Sequence, residues 1–94
     1  MDITTNPLVI LAADVASGPV TVWTGNVHVR NIIFSQYTSI NDFAQVNQTD
    51  GKFFSYLAAA ADLESVKDNN VEWARGLVVP HGGITNGQLS IYIR

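Results

Sequence analysis

The sequence predicts an all-β protein, a single small β-sandwich or barrel of about seven or eight short antiparallel strands. Apolar and polar residues alternate with period two over most of the chain, turn residues break that alternation about every ten residues, and Gly, Pro, Asn and Asp cluster at the breaks. A chain of 94 residues has room for one core. Residues 7–94 are therefore expected to form one β domain, with residues 1–6 as a flexible arm that nothing nearby obliges to fold.

After the breaker Asn6-Pro7, Leu8-Val9-Ile10-Leu11 reads as a first strand, and Ser17-Gly18-Pro19 punctuates before Val20-Thr21-Val22-Trp23-Thr24. Pro19 suits a strand start, where its missing N–H breaks no ladder. Val27 and Val29 then share a face opposite His28 and Arg30, whereas Ile32 and Phe34 continue in the other phase. One residue near Arg30-Asn31 must be extra, which predicts a bulge or bend there. Asp42 to Val46 and Lys52 to Tyr56 flank Asn47-Gln48-Thr49-Asp50-Gly51, whose Asp-Gly pair supplies the positive φ of a hairpin turn. Leu57 to Lys67 carries four consecutive alanines and admits either a strand end and loop or a short helix. The strand Tyr56 leads in from, and the lack of a capping residue before the alanines, favour the loop. Val71, Trp73, Leu77 and Val79 are expected on one face, with Arg75-Gly76 interrupting and Pro80-His81-Gly82-Gly83 as the next connection. Last comes Leu89-Ser90-Ile91-Tyr92-Ile93, with Leu89, Ile91 and Ile93 toward the core.

Composition excludes several functions. Asp, Glu, Lys and Arg make up 14% of the chain against a usual ~25%, and the net charge of −3 gives no long-range attraction to phosphate. Nucleic acid is therefore not an expected partner. The absence of cysteine leaves neither disulfides nor thiolate metal sites to support a small core. Support is expected from packing and strand closure or from oligomerisation, and a surface of Asn, Thr, Ser and Gln suits the latter because protein interfaces are depleted in Lys, Asp and Glu. Leu8 to Ala13 is too short for a membrane span or a signal segment, so the expectation is a chain made in the cytoplasm, not secreted and not membrane-bound.

No catalytic set emerges, and no enzyme, cofactor or metal is expected. A catalytic or metal role for His28 and His81 would need both to converge on a carboxylate such as Asp14 or Asp42, and their spacing does not require it. His81-Gly82-Gly83 lacks the Gly-x-Ser-x-Gly partner of an esterase, and neither phosphate-cradling glycine motif occurs. Asn47-Gln48-Thr49 matches a glycosylation acceptor but is better read as a polar hairpin tip. Trp23, Trp73, Tyr37, Tyr56 and Tyr92 are the candidates for a glycan or peptide platform, the alternative to their serving as core.

Val71 to Pro80 followed by Gly87 to Ile93, with Val27 to Tyr37 and the Asp50-Gly51-Lys52 hairpin, is similar to small β-rich proteins encoded among the structural genes of tailed bacteriophages. The resemblance implies a non-enzymatic virion component, a head decoration or cement protein bound as an oligomer, a trimer above all, to the major capsid protein. Neutral patches repeated over many copies would supply the stabilisation. Ile3, Thr4, Thr5, Asn6 and Pro7 of the arm are the candidate attachment segment, ordering on binding. Deleting residues 1–6 is then expected to weaken attachment and leave the fold intact.

Overall fold

A computed structural model describes residues 5–69 and 72–93. Seven antiparallel strands run β1 (Leu8–Leu11), β2 (Val20–Ser35), β3 (Phe43–Asn47), β4 (Phe53–Ala58), β5 (Val66–Asp68), β6 (Glu72–Val79) and β7 (Gln88–Ile93), with a 3-10 turn at Ala12–Val15 after β1. They form one open sheet in the order β1-β7-β2-β6-β3-β4, and β5 adds to β2. The protein is all-β, as the alternation requires.

β2 organises the sheet. Its first half, from Val20 to Val29, pairs with β6, and its second half, from Val29 to Ser35, pairs with β7, while β5 lies against Ile32 to Phe34. The two halves bury opposite sequence phases, Val27 and Val29 in one and Ile32 and Phe34 in the other. The phases are reconciled by a register shift between Val29 and Asn31, at the bulge that the sequence predicts. Two more irregularities, between Thr21 and Trp23 and between Trp23 and Asn26, make one bent strand of what the sequence reads as two.

The core collects residues from every long strand: Leu8 and Ile10, Val27, Val29, Ile32 and Phe34, Ala44 and Val46, Leu57, Leu77 and Val79, and Leu89, Ile91 and Ile93. The β3–β4 hairpin closes through Gln48 N–H to the Lys52 carbonyl at 2.7 Å, with Gly51 at φ 87°. Its tip folds back on β6, where Thr49 N–H and hydroxyl both donate to the Arg75 carbonyl and Arg75 N–H donates to Gln48 Oε1 at 2.8 Å.

The alanine segment is a strand end and loop. Ala59 N–H donates to the Asp42 carbonyl at 3.0 Å, Ala60 N–H donates to the Tyr37 hydroxyl at 2.9 Å, and that hydroxyl donates to the Glu64 carbonyl. These tertiary bonds take backbone groups a helix would need, which is why propensity loses here. One facial assignment is corrected: Trp73 does not share a face with Leu77 and Val79. Gly76 adopts φ 74° and shifts the phase of β6, so Ala74 is buried before it, Leu77 and Val79 after it, and Trp73 is turned outward.

Candidate interaction surface

Several side chains with chemical potential are used within the fold, while His28 Nδ1 is buried without a hydrogen-bond partner. Asp14 Oδ2 accepts the Leu11 N–H at 2.8 Å. Asp42 accepts the N–H groups of Thr38 and Ser39 on one oxygen and the Thr85 hydroxyl at 3.0 Å on the other. Desolvation pushes the Asp42 carboxyl upward, but the bonds from Ser39, Thr38, Thr85 and Asn86 together outweigh it and hold the carboxyl below its ordinary value. His81 Nε2 bonds the Ala16 carbonyl at 2.9 Å and ties the β6–β7 connection to the end of the 3-10 turn. His28 lies on β2, edge-on to Trp73 with ring centroids 5.1 Å apart. The two histidines thus serve separate places, and among the described residues no three His, Cys, Asp or Glu side chains form a metal-binding group.

The five candidate aromatics divide. Tyr37 is buried and stacked on Phe34 at 4.6 Å, and Trp23 packs against the core. Tyr92 is half-buried. Tyr56 is exposed and stacked on Phe43, and Trp73 stands 69% exposed on the outer face of β6. An exposed strand tryptophan is costly in water and is a typical anchor of an interface. His28 stands across from it on β2, and Arg75, two residues further along β6, is exposed as well. Arg30, exposed at the bulge on β2, adds a second guanidinium to this stretch, while two exposed acids stand near it, Glu72 next to Trp73 in sequence and Asp50 next to the Thr49 that is bonded to Arg75.

A second patch is built on the loops that follow β2 and β4. The bonds from Tyr37 and Asp42 stitch residues 37–42 to residues 59–64, and each of the joined loops carries an exposed apolar side chain, Ile40 at 63% and Leu63 at 45%. Leu63 stands between the exposed acids Asp62 and Glu64, and Asp62 Oδ1 also accepts the Glu64 N–H at 3.0 Å. The leucine has φ 61°, a left-handed conformation that costs a residue with a Cβ about 1–2 kcal/mol. A leucine both strained and exposed points to use in contact. The sequence offered no signal for this patch beyond the triplet Asp62-Leu63-Glu64, because the exposure depends on where Tyr37 pins the loop.

Of the proposed attachment segment, Ile3 and Thr4 lie outside the described residues. Thr5 is exposed, with its hydroxyl donating to the Pro7 carbonyl at 3.2 Å, and Pro7 is half-buried. Asn6 is anchored: its amide donates to the Ile93 carbonyl at 2.7 Å and its Oδ1 accepts the Ile93 N–H at 3.0 Å. Asn6 therefore extends the pairing of β1 with β7. No helix among the described residues is long and apolar enough to cross a membrane. In comparisons with known proteins, the chain matches no family model, no curated protein and no solved structure.

Proposed function

We propose that the chain is a non-enzymatic assembly protein of a tailed-phage particle, a head decoration or cement protein that joins as a homo-oligomer to the major capsid protein. The observation that carries this reading is the exposure of large apolar side chains at Trp73, Ile40, Phe53, Tyr56 and Leu63 on a small sheet with little charge. Such a surface loses less on contact than a charged one, since few ions must be stripped of water. The carboxylates and imidazole that a reaction would need at Asp14, Asp42 and His81 instead hold turns together. The place of action is the virion, reached from the cytoplasm of the host cell.

Co-sedimentation with heads assembled from the major capsid protein encoded alongside the chain tests the reading. Saturable binding at a fixed number of copies per head is the expected result. Heads that sediment without the chain at any concentration contradict it. One observation favours a second reading, a ligand-binding β module: the Trp73 ring is exposed on a strand beside His28. Glycan and peptide arrays probed with the wild type and Trp73→Ala separate the two, and a ligand lost with the ring supports the module.

A further inference from the structure

We propose that the Trp73 patch of one copy docks on the Ile40–Leu63 patch of a second copy, in a head-to-tail contact that closes into a ring. The two patches are chemical opposites. One sets an exposed tryptophan beside His28, Arg30 and Arg75, and the other sets exposed Ile40 and Leu63 beside Asp62 and Glu64. Two-fold contact of either patch with itself would bring like charges together, whereas contact of one with the other pairs guanidinium with carboxylate around an apolar centre. Lys67, exposed on β5 and paired with Ile33 of β2, follows Glu64 by three residues and sets one cation at the margin of the acidic patch.

Position agrees with chemistry. Trp73 is registered opposite His28, midway along β2, and the stitched loops begin just beyond the last residue of that strand, Ser35. At about 3.3 Å per residue, the stretch from His28 to Ser35 covers about 23 Å of strand. The bulge near Asn31 shortens that span, but it still sets the two patches apart along β2, so that each faces a different neighbour. A heterologous contact of this kind closes into a ring when the rotation between copies permits, and three copies form the smallest such ring. The β1 edge offers a poorer joint, because on its outer side Pro7 has no N–H and the Leu11 N–H is taken by Asp14.

The inference rests on the assembly reading, but its test needs no capsid. Light scattering on the full chain at low ionic strength should give about 31 kDa, three times the 10.2 kDa chain. Two variants, Arg30→Glu with Arg75→Glu and Asp62→Lys with Glu64→Lys, should each fall to the mass of a single chain, because each leaves one patch facing its own sign. A three-membered ring of the two mixed variants always keeps one joint between like copies, so the rescue is read from the chain carrying all four reversals, which should return to about 31 kDa. This rescue also shows that the reversals leave the fold intact. A wild type that stays at the mass of one chain, a variant that keeps the wild-type mass, or a four-reversal chain that stays at the mass of one chain while it melts like the wild type would overturn the contact. Capsid binding by a chain that fails this test would leave the assembly reading standing and remove only this joint.

Discussion

Gly76 shows how one residue decides what a strand presents. With φ 74°, it sits where an added Cβ would meet the Thr49 side chain and, at 2.8 Å, the Trp23 carbonyl. Gly76→Ala therefore combines backbone strain with a collision against the docked hairpin tip. Thermal or urea unfolding should show a loss of more than about 1 kcal/mol. The two tryptophans should behave oppositely. Trp23→Ala removes a ring packed on the core and is expected to cost about 3 kcal/mol, near the lower end for buried aromatics because the ring is only partly buried. Trp73→Ala, at an exposed ring, should leave the melting temperature within the small range of surface substitutions and change association alone. Asp42 gives a pH dependence. Its folded carboxyl is more acidic than the ordinary 3.8, so its contribution is present above the unfolded pKa and is lost as the pH falls through the folded one. Amide protection at Thr38 and Ser39 should fall in that acid range, and Asp42→Asn should remove the dependence.

At the scale of elements, the ends of the sheet are secured by specific side chains. Asn6 adds a two-bond clamp between the start of β1 and Ile93. A truncation that removes residues 1–5 should leave stability unchanged, whereas Asn6→Ala should cost about 1 kcal/mol, as measured by equilibrium unfolding. Attachment to heads that survives the shorter truncation would take Ile3, Thr4 and Thr5 out of the interface. The elements themselves were largely legible. β1, the hairpin, β7 and the bulge near Asn31 follow from period-two alternation and from Asp50-Gly51, which act over neighbouring residues. What was not legible depends on contacts distant in sequence. The outward turn of Trp73 requires knowing that the hairpin tip docks beside Gly76, and the loop at residues 59–65 requires the Tyr37 hydroxyl. Candidate sites suffered most, since an exposed aromatic and a core aromatic on a strand look alike until the phase of the strand is known.

For the whole molecule, the proposed assembly gives the low charge and the exposed rings one account, a surface covered by contact. The core is well filled, with Phe34, Leu77, Val79, Leu89 and Ile91 fully buried, so the fold does not itself require a partner to hide them. In the proposed assembly, association covers what the sheet turns outward, and its strength should fall with salt because cations and carboxylates border the apolar centres. The measurement that tests this most directly is the absolute molar mass of the wild-type chain by light scattering, over a range of protein concentration at low and high ionic strength. The account predicts a multiple of the chain mass at low salt that dissociates as salt rises or protein is diluted. A single 10.2 kDa species across the whole range would contradict it.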